Sequence, residues 1–219
     1  MTRAFLVTAL GAAALALSAC ETTPSAGSAG SQGDLPAPLG AAPGFAPEAS
    51  LQLCPRMTVS NAPAADAEGS VRGYHPFADI GGVAVLVNPA PKACLSSAFG
   101  QRSGRLHKGL DYQSDPAGPV LAAQAGTVVE SGYRDDYGQY VLIDHGSGVF
   151  TRYAHLATLT GAAREGRVVQ LGVMGNTASY RIPVHLHFEV LTGDYATAKK
   201  SFGLKPVDPL KSVKARAAS

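Results

Sequence analysis

Four short runs of the chain are rich in β-branched and aromatic residues and are bounded by Gly and Asp: GTVVESG (126–132), QYVLIDHG (139–146), VFTRYAHL (149–156) and VHLHFEVL (184–191). Runs of this length and composition between turn formers predict β-strands. Gly146-Ser147-Gly148 separates the second from the third and predicts a hairpin turn. A further run, VAVLV (83–87), is apolar throughout and reads as a buried strand, although the surrounding residues 51–92 carry no strong period. No helical pattern of comparable strength occurs. The expected fold class is therefore mainly β, compact and antiparallel.

The beginning of the chain has a different character. Arg3 precedes an Ala-rich apolar run, Ala4 to Ala19, with the basic start and small-residue end of a secretory signal. A bilayer-spanning helix needs about 20 predominantly apolar residues, more than this run supplies. Its end, Leu17-Ser18-Ala19-Cys20, resembles the lipobox of bacterial lipoproteins, where the chain is cut before the Cys and the Cys is lipidated. An ordinary signal peptide with a Cys in that place is the other reading. From Glu21 to Ser50, 21 of 30 residues are Ala, Pro, Gly or Ser. Such a stretch buries too little to offset its ordering entropy and is expected to be a disordered tether. The expected organisation is a signal over 1–19, lipidated Cys20 and linker over 20–50, an extension over 51–94 packed on a main domain over 95–210, and a basic tail over 211–219 with Lys211, Lys214 and Arg216.

At 219 residues, 46% hydrophobic and 16% charged, the chain suits one compact domain with low-complexity ends rather than two domains. A formal net charge of +2 gives no electrostatic footprint for nucleic acid, so no nucleic-acid partner is expected. Three cysteines are an odd count for an exported chain. Lipidation of Cys20 leaves Cys54 and Cys94, which either form a disulfide in an oxidising periplasm or stay as reduced, buried thiols.

The six histidines carry the chemistry. On a strand, side chains alternate, so VHLHFEV places His185, His187 and Glu189 on one face and Val184, Leu186, Phe188 and Val190 on the other. Two imidazoles then share a face that can line a cleft while the apolar face anchors the strand. In HKGLD, His107 and Asp111 flank Gly109, whose backbone freedom would let both heads turn to one point. Two His and a carboxylate suit a divalent metal. With three protein ligands zinc keeps an open position for water, as catalytic sites do, and the same set also describes non-haem iron enzymes. His155 adds a third location, on an alternating strand beside Tyr153. His75, before a Pro, and His145, at a strand end before a Gly turn, are read as structural.

From about Ser96 to about Leu210 the chain resembles the lysostaphin-like, LytM-type zinc metallopeptidases of bacterial cell walls, metallopeptidase family 23. The matching stretches, in the family's order, are SSAFGQR (96–102), HKGLD (107–111), AAQAGTVVESG (122–132), YGQYVLIDHGSG (137–148), YAHL (153–156), GVMGNT (172–177) and HLHFE (185–189). The resemblance implies His107, Asp111 and His187 as zinc ligands and His155 and His185 as a non-ligating catalytic pair. It also implies a β-sandwich-like core, related to the duplicated hybrid motif, with a groove floored by the sheet and walled by loops. All five site residues are present, unlike in metal-free relatives that act as activators. Where relatives carry a Gly-rich stretch before the His pair, this chain has the bulkier GNTASYRIP (175–183), whose Tyr180 and Arg181 bear on groove width and substrate preference.

The activity so implied is that of a zinc-dependent D,D-endopeptidase acting on the peptide cross-links of peptidoglycan. Cys20 followed by Glu21 resembles outer-membrane sorting, so the expected location is the periplasm, lipid-anchored to the outer membrane. The alternative is a latent or non-enzymatic wall-binding protein that activates a cell-wall amidase, with residues 51–94 folded over the groove. A regulatory partner, an amidase or a divisome component, stands open.

Overall fold

The computed structural model describes residues 46–55, 57, 59–160, 170–198 and 200–212. The expected signal, Cys20, most of the linker, and Lys214 and Arg216 of the tail lie outside the described residues. In chain order the strands are β1 (Phe77–Ile80), β2 (Val83–Leu86), β3 (Cys94–Ser97), β4 (Gly100–Arg102), β5 (Arg105–His107), β6 (Leu110–Gln113), β7 (Pro119–Leu121), β8 (Thr127–Arg134), β9 (Gly138–Asp144), β10 (Val149–Ala154), β11 (Leu156–Leu159), β12 (Gln170–Met174), β13 (Leu186–Thr192) and β14 (Lys205–Val207). Among the described residues there is no α-helix, only a short 3-10 turn at Lys200–Gly203. All strand pairings are antiparallel, so the mainly β reading of the periodicity holds.

The principal sheet runs β3-β6-β13-β10-β9-β8, with β14 added to β13. Strand β13 is its hub. β10 pairs along one side, while β6 covers Leu186–Phe188 and β14 covers Val190–Thr192 on the other. That central position explains why every residue from Leu186 to Leu191 is buried, polar ones included. β11, β12 and β7 form a second sheet, and β1-β2 and β4-β5 are two-stranded. The turn between β9 and β10 falls at Gly146-Ser147-Gly148, closed by hydrogen bonds from Val149 N to Gly146 O and from His145 N to Val149 O, both 2.9 Å.

Leu110, Tyr112, Tyr153, Leu186, Phe188 and Val190 make the centre of the core. Burying a Leu, Val or Phe contributes about 1.5–3 kcal/mol each, so this cluster holds the sheet against what lies over it. Leu51, Val71, Ala78, Ile80 and Val85 to Val87 join the same cluster. Within residues 51–92 the strands β1 and β2 pair with each other and the bridges Gln52–Ser70 and Ala65–Val71 are internal, while Leu53 bridges Leu95 in β3 and so ties the segment to the principal sheet. Cys54 and Cys94 are joined by a disulfide one residue from that bridge.

Two local expectations are corrected. VFTRYAHL is not one strand: β10 ends at Ala154, and His155 turns the chain in the left-handed region (φ 64°) before β11 begins at Leu156. Val184 is no part of the apolar anchor, being 40% exposed ahead of β13, so Leu186, Phe188 and Val190 do that work.

Candidate active site

Strand β5, the turn after it and β6 bring His107 and Asp111 to the face of β13 that carries His187. In register, Asp111 lies directly opposite His187 on the neighbouring strand. Gly109 makes that approach possible, for a reason other than the one expected. Its φ lies outside the left-handed region, but a Cβ there would stand 2.3 Å from the Phe188 carbonyl oxygen. Close contact with β13, rather than an unusual backbone path, excludes a side chain.

One ligand atom from each of His107, Asp111 and His187 lies within 4.8 Å of the others, and all three residues are buried. Asp111 Oδ1 is 2.8 Å from His187 Nδ1 and 3.1 Å from His107 Nε2, and those two nitrogens are 3.1 Å apart. The opposite ring nitrogens have fixed acceptors. His107 Nδ1–H donates to Ala98 O at 2.6 Å, and His187 Nε2–H donates to Glu189 Oε1 at 3.1 Å. These bonds leave the other nitrogen of each imidazole to bind a cation beside the carboxylate oxygen, or to carry a proton hydrogen-bonded to it. A ring N–H on a carbonyl or carboxylate is the usual support of a metal-ligating His, so the donor set and its backing fit a divalent ion such as zinc. The electrostatics agree: burial alone would lower the His187 pKa, yet its bonds to Asp111 and Glu189 raise it to about 9. A field that holds a proton so firmly favours any cation placed there. Burial would likewise raise the Asp111 carboxyl, but the His107 and His187 hydrogen bonds hold it well below the usual range.

Glu189 is itself buried and braced. It accepts from Tyr137 Oη at 2.7 Å and pairs with Arg152 Nη1 at 2.5 Å, while Arg152 Nη2 donates to Ser201 O at 2.8 Å. Neither Arg152 nor Tyr137 is among the expected site residues. Arg152 stands directly opposite Glu189 in the β10–β13 register. A lone charge inside the apolar run VFTRYAHL is the signal that points to it. On the other side, Arg102 Nη1 donates to Asp111 Oδ2 at 3.0 Å and to Ser97 Oγ at 2.9 Å.

His155 and His185 face the same space, with ring centroids 4.6 Å apart. His185 Nδ1–H donates to Pro183 O at 2.8 Å, and its Nε2 lies 3.8 Å from Asp111 Oδ1. Burial, followed by the neighbouring His185 and His187, pushes the His155 pKa down to about 3, and burial also lowers that of His185. His155 Nδ1 is buried with no hydrogen-bond partner among the described residues. A non-Gly residue held in the left-handed region with an unpartnered ring nitrogen is the kind of strain that collects at functional sites.

All five expected residues, His107, Asp111, His155, His185 and His187, line one groove of about 710 Å³. Tyr180, Ile182 and Pro183 form part of its wall, while Arg181 is exposed. Cys54, Pro55, Met57 and Val59 line it as well, so residues preceding β1 border the site. His145 lies elsewhere, bound to Ala125 O and Thr151 Oγ1, and His75 is exposed.

Residues 105–203 match peptidase family M23. The DD-carboxypeptidase/endopeptidase Mpg of Neisseria gonorrhoeae is 37% identical over 112 residues, 47% of this chain and 25% of that protein. The lipoprotein NlpD/LppB homolog of Pseudomonas aeruginosa is 37% identical over 142 residues, 59% of this chain and 43% of that one. The peptidoglycan DD-endopeptidase ShyC of Vibrio cholerae is 34% identical over 119 residues, 49% of this chain and 27% of that protein. The chain thus spans a quarter to under half of the length of these relatives. Among solved structures, a zinc containing peptidase from Vibrio cholerae is 27% identical, covering 59% of this chain and 40% of that chain with a TM-score of 0.47. With a match that runs from Arg105 to Gly203 and takes in His107, Asp111, His155, His185 and His187, residues 105–203 are a domain of peptidase family M23.

Proposed function

We propose that the protein is a zinc-dependent peptidoglycan hydrolase, a D,D-endopeptidase that cleaves the peptide cross-links of the cell wall. The observation that carries this reading is the convergence of His107, Asp111 and His187 beside the His155–His185 pair in one open groove. Relatives named as DD-endopeptidases support the choice of bond.

His107, Asp111 and His187 would hold the zinc, which when bound supplies a Lewis acid for the scissile carbonyl and draws the pKa of a water toward about 7. The chain's own residues do the rest. Ala98 O and Glu189 lock the ligand tautomers, and Arg152 keeps Glu189 ionised in a buried place. His185, with its Nδ1–H on Pro183 O, offers Nε2 to take a proton and return it to the leaving amine. His155, kept neutral by burial, is a hydrogen-bond donor for the developing oxyanion.

Lipid attachment at Cys20, suggested by the Leu17-Ser18-Ala19-Cys20 motif and by a relative named as a lipoprotein, would tether the enzyme at the outer membrane, with residues 21–50 giving reach to the wall. A Cys20→Ser variant should then leave the membrane fraction.

Incubating the purified protein with cross-linked sacculi, with zinc or with a chelator, tests the activity. Zinc-dependent conversion of dimeric muropeptides to monomers, read by mass spectrometry, is the expected result. His155→Ala and His185→Ala should keep zinc and lose about 10²–10⁴-fold in rate, whereas His107→Ala and Asp111→Ala should lose the metal. Binding to sacculi without cleavage, despite bound zinc, would turn the reading to a wall-binding amidase activator.

A further inference from the structure

We propose that the groove carries a carboxylate-binding subsite, formed by Arg105 and Lys108 beside Arg102, that selects peptides bearing a free carboxylate close to the scissile bond. The proposal rests on the peptidase reading above and names what its substrate brings.

The inference comes from the uneven pairing of charges around one cavity. Among the described ionisable residues lining the groove, Asp111, Asp136 and Glu189 are the anions, and each already has a cationic partner. Arg102 Nη1 is 3.0 Å from Asp111, Arg134 Nε is 2.7 Å from Asp136, and Arg152 Nη1 is 2.5 Å from Glu189. The cations on the β4–β5 side are not matched in the same way. Arg105 and Lys108 are exposed at the groove and make no hydrogen bond or ion pair with any described residue. Arg102 uses only Nη1, on Asp111 and Ser97, which leaves its remaining N–H donors without a partner among the described residues.

A second cavity of about 450 Å³ opens along the same hairpin, lined by Arg102, Ser103, Arg105, Leu106 and His107. Among the described residues its lining holds no acidic side chain, and it shares Arg102, Arg105, Leu106 and His107 with the groove. An anion seated between the two arginines therefore lies next to a proposed zinc ligand, within a residue or so of the bond to be cut. Guanidinium groups present paired donors that match a carboxylate. The two contacts of Arg102 hold its head in place before any ligand arrives, so less freedom is lost on binding. Arg105 and Lys108 have no internal anion to release, and a charged cleft of this sign also raises the local concentration of acidic peptide.

The test uses uncross-linked stem peptides, identical except that one carries a free carboxylate and the other a carboxamide at the residue beside the former cross-link. Having no cross-link to cut, they report binding alone to the full-length, zinc-loaded protein, by fluorescence anisotropy. The carboxylate form should bind about tenfold more tightly, and the preference should shrink as salt rises. Arg105→Gln with Lys108→Gln should bring the ratio close to one, and Arg105→Lys should keep most of it. Zinc content shows that a variant is intact, and should the double variant lose zinc, Arg105→Gln alone carries the comparison. Equal binding of the two peptides to the wild type, no measurable binding of either at millimolar concentration, or an unchanged ratio in the Gln variants would overturn the subsite. Failure to cut a cross-linked dimer while the two peptides are still distinguished would instead strike at the peptidase reading.

Discussion

Arg152→Met is expected to destabilise the fold through a residue that never touches the groove. The Arg152 and Glu189 side chains are 2% and 0% exposed, so the substitution leaves a carboxylate sealed from water without its cation. Removing one partner of a buried pair costs about 3–5 kcal/mol, and the lost bond to Ser201 O adds about 1 kcal/mol. Tyr137 and His187 remain as donors to Glu189, which keeps the total near the lower end, at about 4 kcal/mol. That is a large share of the 5–15 kcal/mol typical of a domain. Arg152→Met combined with Glu189→Leu removes both charges and should return stability to within about 2 kcal/mol of wild type. Zinc binding should not recover, because His187 Nε2 then lacks its acceptor, a loss expected to weaken affinity about 10–100-fold. Urea unfolding of metal-free protein reads the first quantity, and competition with a chelator reads the second. A single variant within about 1 kcal/mol of wild type, or a double variant that binds zinc as tightly, would refute the account.

Three further perturbations probe other parts of the molecule. Reductant, or Cys54→Ser with Cys94→Ser, should lower unfolding free energy by up to about 4 kcal/mol on the chain-entropy model for a loop of this span, seen as a shift in urea midpoint. Gly109→Ala should force β6 away from β13 and weaken both folding and zinc uptake, because its Cβ would meet the Phe188 carbonyl; an alanine variant with unaltered zinc affinity would be evidence against that contact. Burial lowers the His145 pKa in spite of the Ala125 carbonyl and Asp144, so the fold prefers the neutral ring. Its stabilisation is complete above the unfolded value of about 6.5 and is lost as pH falls through the folded value. His145→Gln should therefore flatten the decline in urea midpoint between about pH 7 and 5, and an identical slope would count against a titrating His145.

The strands β8, β9, β10 and β13 were legible as short β-branched and aromatic runs between Gly and Asp, because strands buried in the middle of a sheet, as β9, β10 and β13 are, take such residues, and the Gly146-Ser147-Gly148 turn followed from their spacing. The shared face of His185, His187 and Glu189 was legible from the alternation of side chains along a strand. The corner at His155 was not, since Tyr153-Ala154-His155-Leu156 continues the strand-like run while the backbone leaves it. Nor was the need for Gly109, which is created by Phe188, far away in the sequence and known only once the strands are paired. The partnership of Arg152 with Glu189 likewise depends on cross-strand register, which spacing along one strand does not set. Residues 51–92 lack a period because they pack through scattered apolar residues and the single bridge of Leu53 to Leu95 rather than through one long face.

The position of Ala98 has a consequence for how this protein can be divided. Its carbonyl fixes the His107 ring, yet it precedes the 105–203 segment shared with the family, as do β3 and the Leu51 to Val87 share of the core, while β14 follows that segment. A fragment cut to the shared segment would keep every proposed zinc ligand and lose the neighbours of β6 and of the last residues of β13. Open strand edges of that kind pair with other chains. The inherited module and the cooperative folding unit therefore differ in extent, and chimeras or crystallisation fragments should be bounded by the disulfide-tied segment on one side and β14 on the other.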